Sequence, residues 1–94
     1  MSGRVSKKRQ ENIENLELAA NMLMEITEAP TVPKNIRKLA AEAIKMVQDT
    51  SLSEGVRAAN AIHMIEEVMQ DLNLPSYARV KLWNVIAVLE RVRD

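Results

Sequence analysis

Cysteine is absent from this chain, which excludes disulfide staples, thiol nucleophiles and thiolate metal sites and leaves the redox compartment unmarked. Phenylalanine is absent as well, and Tyr77 and Trp83 are the only aromatic residues, too few for the stacking platforms on which single-stranded nucleic acids are held. Glycine occurs twice, at Gly3 and Gly55, so no glycine-rich loop exists to cradle a phosphate. No apolar run approaches the roughly 18 residues of a spanning helix, and with 28 % charged residues a soluble protein with no membrane association is expected. Neither charge is in excess: 13 Lys and Arg stand against 13 Asp and Glu, so no net field draws the chain toward nucleic acid or anionic lipid. Met1 to Gln10 is basic, but neither an apolar core nor a cleavage-type site follows it; no secretory signal is read, and a cytoplasmic location is expected.

What is present favours a small helical domain. Ninety-four residues leave room for one core and no separate catalytic module. Surface scaling gives about 15,000 Å² for the unfolded chain and about 5,500 Å² folded, enough burial for a modest core. The 47 % hydrophobic content argues against disorder, and Ala, Leu, Met and Glu abound. Ile13, Leu16, Ala20 and Leu23 recur at steps of three and four, with Leu18, Met22 and Ile26 widening the stripe, and predict a helix from about Lys8 to Glu28. Pro30 and Pro33 break it, because proline lacks the amide proton and clashes with the preceding turn. Pro33 fits at or near the start of a second helix, whose core face is Ile36, Leu39, Ala40, Ala43, Ile44 and Val47; Thr31 and Val32 both remain open as its cap.

Asp49, Thr50 and Ser51 end the second helix, and Ser51 with Glu54 has capping-box spacing for a third, with a core face of Ala58, Ala61, Ile62, Ile65, Met69 and Leu72. The alanines, beside Gly55, permit close approach of a neighbouring helix. Asn73, Leu74 and Pro75 repeat the proline start, and Ala78, Leu82, Val85, Ile86 and Leu89 make the stripe of a fourth helix. Sliding the chain by 42 residues brings Met22, Glu25, Pro33 and Arg37 onto Met64, Glu67, Pro75 and Arg79. The expected fold is therefore all-α, an antiparallel four-helix bundle made of two HEAT-like helical hairpins. Stacked repeats need about three copies to bury a continuous core, so two hairpins should close on each other. Residues 1–7 are read as a basic, flexible tail and 8–94 as the single domain.

Catalytic constellations are missing. His63 is the only histidine, and its order with Glu66 reverses the Glu-x-x-His pairs of di-iron bundles, so no metal site and no cofactor are expected. Ser51, Ser53, Ser76 and Thr31 sit at helix starts, where capping is their ordinary work, and Glu11, Glu14 and Glu17 suit the dipole near the start of the first helix. The chain is read as a non-enzyme. Arg4, Lys7, Lys8 and Arg9 precede the first acid, Glu11, and are the candidate nucleic-acid contacts; four phosphate contacts would give a salt slope of about −3 to −4. Arg37, Arg57 and Arg79 near helix starts oppose the dipole and are expected to be structural, paired with a carboxylate or a helix-end carbonyl. Met46, Met64 and Trp83 lie at the edges of their stripes, either widening the core or forming an adaptable patch that binds a protein partner or a second copy of the chain as a homodimer.

Thr31-Val32-Pro33 through Arg37, Val56-Arg57-Ala58-Ala59, Leu74-Pro75 through Arg79 and Leu82-Trp83-Asn84 together resemble a small uncharacterised archaeal protein family of unassigned function. The resemblance covers nearly all of the chain after the basic tail. It implies a compact helical bundle, with no established activity, cofactor or catalytic residue to carry over. The function expected from the residues is a protein-interaction or scaffolding module, with a nucleic-acid or ribosome-associated factor as the alternative.

Overall fold

The computed structural model describes residues 6–94. Four helices run through them in order, α1 (Lys7–Thr27), α2 (Lys34–Val47), α3 (Glu54–Val68) and α4 (Ser76–Leu89), with no strand among the described residues. Ser6 begins α1 by accepting the Arg9 amide on its hydroxyl at 3.1 Å, so Lys7, Lys8 and Arg9 are helical and the expected tail boundary at residue 7 falls one residue late. The buried face of α1 is Asn12, Leu16, Ala19, Ala20, Leu23 and Ile26. Ile13 and Leu18, expected in the stripe, are instead exposed, because Ala19 and Asn12 occupy the line facing the other helices.

The three connections share one design. The amides of Val32, Leu52 and Leu74 each close a turn onto the carbonyl three residues back, those of Ala29, Asp49 and Asp71, at 3.1, 3.1 and 3.2 Å. The next residue is then the cap of the following helix: Pro33, Ser53 and Pro75. Pro33, rather than Thr31 or Val32, therefore caps α2. Ser53 and not Ser51 caps α3, accepting the Val56 amide at 3.3 Å. Ser51 is held elsewhere: its amide and hydroxyl both donate to Asp49 Oδ1, at 3.0 and 2.6 Å, in an Asx turn. Asp71 makes the same turn with the Asn73 amide at 2.8 Å.

Arginine reinforces each junction. Arg37 Nε donates to the Val32 carbonyl at 3.0 Å, and Arg57 Nε to the Leu52 carbonyl at 3.1 Å. Arg57 Nη1 also reaches the Val47 carbonyl at the end of α2, 3.3 Å away, and so crosses from one hairpin to the other. Arg79 donates to the carbonyls of Met69 and Asp71, behind the start of α4. A cation in the first turn of a helix is unfavourable to the dipole. Here each guanidinium lies against carbonyl oxygens whose partial negative charge offsets that.

In packing, α1 lies against α2 and α4, α3 lies against the same two and more lightly against α1, and the backbones of α2 and α4 do not come close. Stacked hairpins would instead put α2 beside α4. Exchanging the two hairpins converts the α1/α4 contact into the α3/α2 contact, so the arrangement is a bundle closed on itself. Leu23, Ile26, Ile36, Ile65, Leu82 and Leu89 are wholly enclosed, each worth about 1.5 to 3 kcal/mol on burial. Fully buried Ala19, Ala43, Ala61 and Ala78 let the helices approach between them. Leu72 is the largest departure from the expected core: at 97 % exposure it stands outside, because α3 ends at Val68 and residue 72 falls in the turn. With the helices alternating in direction, the starts of α1 and α3 and the segment after α4 meet at one end.

Candidate functional site

Two regions merit a functional reading, one at that end of the bundle and one on α4. At the end, Asn12 is 4 % exposed and uses its side-chain amide as a second peptide group. Its Nδ2 donates to the Arg93 carbonyl at 2.6 Å and its Oδ1 accepts the Arg93 amide at 3.2 Å. The same Nδ2 reaches Glu54 Oε1 at 3.2 Å, while Glu54 Oε2 accepts from Arg9 Nε at 3.1 Å. Asp94 completes the closure. Its carboxylate accepts from the Gly55 amide at 2.7 Å and from the Ser53 hydroxyl at 2.8 Å, and its main-chain oxygen accepts from Lys8 Nζ at 2.7 Å.

The Gly55 hydrogen bond and then the Ser53 hydroxyl hold the Asp94 carboxyl below its ordinary value; burial opposes them by less than either, and the charges of Lys8 and Arg57 add the smallest effects. Gly55 leaves room here for the Asp94 carboxylate. A Cβ at this position would come within 2.8 Å of the Asp94 carboxylate, so its smallness serves this contact rather than the close helix approach expected from sequence. The depression over this end, about 660 Å³, has Arg9, Asn12, Ser53, Arg57 and Asp94 among its walls. Every buried side-chain nitrogen and oxygen among the described residues has a hydrogen-bond partner, so these groups are matched to one another.

The second region is the outer face of α4. Tyr77, Val80 and Trp83 are 45, 59 and 56 % exposed, and Asn84 and Ala87 are exposed beside them. Positions 77, 80, 84 and 87 follow the three-and-four spacing of one helix face, with Trp83 adjoining. The charges of α4 are drawn off this face: Lys81 Nζ pairs with Glu25 of α1 at 2.6 Å, and Arg79 is turned to the carbonyls behind it. From Ser76 to Ala87 the outer face therefore carries no charge, although Ala78, Leu82, Val85 and Ile86 already supply an apolar inner face.

The sequence candidates separate accordingly. Met46 and Met64 are half-buried and packed against the core; Met46 Sδ accepts from Asn60 of α3 at 3.7 Å, one turn before Met64, which places both on the α2/α3 side. Trp83 stands on the outer face of α4, whose backbone does not come close to α2, the helix of Met46. Of the basic residues, Arg4 lies outside the described residues. Lys7 is exposed in the first turn of α1, whereas Lys8 and Arg9 reach Asp94 and Glu54. Tyr77 and Val80 were not singled out from sequence. Their signal was there: α4 carries apolar residues between the members of its core stripe, so it is hydrophobic on both sides. Asn12 also had a signal, being in phase with Leu16, Ala19, Leu23 and Ile26.

No helix of the described residues is long and apolar enough to cross a membrane, and no three of their His, Asp and Glu side chains are grouped to hold a metal ion. The fold and these two regions define a small all-α bundle protein with a polar closure at one end and an apolar helix face on one side. The uncharacterised protein family UPF0147 matches residues 3–92, and the chain belongs to it. A UPF0147 protein of Sulfurisphaera tokodaii is 46 % identical over 84 residues, covering 89 % of this chain and 94 % of that one. The Aeropyrum pernix UPF0147 protein is 49 % identical, over 89 % of this chain and 92 % of its own. Among solved structures, the protein of unknown function MMP1188 superposes with a TM-score of 0.85 at 29 % identity, over 99 % of this chain and 100 % of that one. A UPF0147 protein from Thermoplasma acidophilum gives 0.83 at 27 % identity, over 89 % and 99 %. The chain is thus an archaeal-type UPF0147 bundle, a family without an assigned function.

Proposed function

We propose that this protein is an interaction module, without a catalytic step of its own, that recognises a protein surface through the outer face of α4. The uncharged, apolar stretch formed by Tyr77, Val80, Trp83 and Ala87 carries this reading. Aromatic side chains in an uncharged patch are the composition of an interface centre, and apolar surface left in water is recovered as binding free energy when a partner covers it. The bundle supports the role by holding α4 rigidly against α1 and α3, so little ordering is lost on association. The alternative, nucleic-acid binding through Arg4, Lys7, Lys8 and Arg9, loses support because Lys8 and Arg9 have partners within the chain.

The test is capture from lysate of a host that carries the protein, at near-physiological salt and with nuclease, comparing the native chain with Val80→Lys. Proteins retained by the native chain and lost by V80K, at unchanged melting temperature, are the expected result. Retention that survives V80K but vanishes with nuclease would overturn the reading in favour of nucleic acid.

A further inference from the structure

We infer that the occupant of the α4 face is α4 of a second copy of this chain, lying antiparallel across it to form a two-fold symmetric dimer. This inference rests on the interaction reading above and adds the identity of the partner. It is carried by the way α4 is charged at its ends.

The start of α4 has Pro75 as its cap, with no side-chain hydrogen bond and no acidic residue in the first turn, so the positive end of the helix is left uncompensated. At the other end the C-cap is Glu90 and the last turn has no basic residue, which places a negative charge beside the negative end of the dipole. Arg91 does not correct this on the outer face, because it sits in a groove toward α1 with Glu11 and Glu14. Both ends are therefore mismatched for a helix alone. Two copies of α4 laid antiparallel bring Glu90 of each to the first turn of the other, and both mismatches become favourable contacts.

The side chains between the ends fit the same register. Opposing Glu90 to Tyr77 of the second copy places Ala87 opposite Val80 and Trp83 opposite Asn84. Val80 then meets the smaller Ala87 and Trp83 the smaller Asn84, while Glu90, the one charge in the register, lies at the end of the contact. Lys81 stays at the edge with Glu25. The contact is isologous: if residue 80 meets 87 of the second copy, 87 meets 80 in return, so the surface closes on itself without seeding a filament. Equal numbers of cationic and anionic side chains mean that two copies feel no net repulsion on approach.

A charge exchange across this register provides the test. Val80 and Ala87 are exposed, so each variant is expected to keep its fold, which melting by circular dichroism verifies. Sedimentation equilibrium of the full chain is then compared for the native protein, Val80→Lys, Ala87→Glu and the double variant. The expectation is a concentration-dependent dimer for the native chain, weakened by about tenfold or more in each single variant, where an unpaired charge enters an apolar contact. The double variant should recover dimerisation to within about threefold of the native protein, since the introduced lysine of each copy would then meet the introduced glutamate of the other. Within one helix these positions are two turns apart, too far for the rescue to come from inside a chain. A double variant that stays as weak as the singles overturns the antiparallel register. A native chain still monomeric at about 1 mM overturns the second copy as occupant. In that event V80K-sensitive capture assigns the face to a different protein, whereas its absence removes the interaction reading itself.

Discussion

The polar end of the bundle and the outer face of α4 differ in where their partners are found. At the end, Asn12, Arg9, Glu54, Ser53, Gly55 and Asp94 answer one another, and every buried side-chain polar atom described is hydrogen-bonded. On α4, Val80 and Trp83 are more than half exposed, with no group of the described chain to cover them. The first region has a depression and the more varied chemistry, yet its groups are already committed to holding the chain together. The second has little chemistry, and it is where apolar surface remains exposed. The polar end thus serves stability, and the plain helix face is the one proposed above for association.

If that division is right, substitutions at the end should change stability and leave assembly alone. The largest effect is expected from Asn12→Ala, which strips both main-chain groups of Arg93 and one oxygen of Glu54 of their partner. A loss of about 2 to 3 kcal/mol should appear in urea denaturation, with sedimentation behaviour unchanged. An equal loss of dimer would break the comparison by coupling the two regions.

Gly55→Ala tests the close contact with Asp94. It should destabilise the native protein, since the new methyl group displaces a carboxylate that would lie 2.8 Å away. In an Asp94→Ala background the same change should become stabilising, because alanine's helix preference over glycine, up to about 1 kcal/mol, then acts unopposed. Thermal melts of the four chains decide it; equal effects in both backgrounds would mean that the contact carries no weight.

The smallest effect concerns pH. The Asp94 carboxyl is held below its ordinary value of 3.8 by the Gly55 amide and Ser53 hydroxyl, so the folded state binds its proton less readily than the unfolded chain. Its stabilisation is complete above that ordinary value and is lost as pH falls through the lower folded one. Asp49 and Asp71 act in the same direction through the Ser51 hydroxyl and the Asn73 amide, respectively. Asp94→Asn should therefore make the acid-induced fall in melting temperature shallower without abolishing it. An unchanged pH profile would remove Asp94 from the closure.

Helix number, order and approximate limits were legible because Pro33 and Pro75 admit few positions other than a helix start, and because the α2 stripe follows the helical period cleanly. Ser53 was missed as a cap since Ser51 has equally good spacing; only the Asx turn made by Asp49 distinguishes them, and that depends on three-dimensional placement. Leu18 and Leu72 show the other limit. Hydrophobicity alone does not say whether a residue at the edge of a stripe or just past a helix end finds something to pack against. The partnership of Asn12 with Arg93 joins residues 81 positions apart and could not be read from local spacing. Arg37, Arg57 and Arg79 stood out as cations at unfavourable helix positions, whereas the particular carbonyls they reach depend on how each turn closes.

The arginine junctions and the polar end also differ in when they can form. Arg37, Arg57 and Arg79 bond to carbonyls 5 to 10 residues away, so each corner needs only a short loop to close. Lys8 and Asp94 are 86 residues apart and meet only after all four helices are in place. Loop-closure entropy therefore favours corner formation in the early steps of folding and closure of the end in the last. Such late contacts are absent from the folding transition state and act mainly by slowing unfolding. The expectation is that loosening a corner slows folding and that cutting the strap over the end speeds unfolding, which stopped-flow refolding and unfolding of Arg57→Ala and Asn12→Ala would separate.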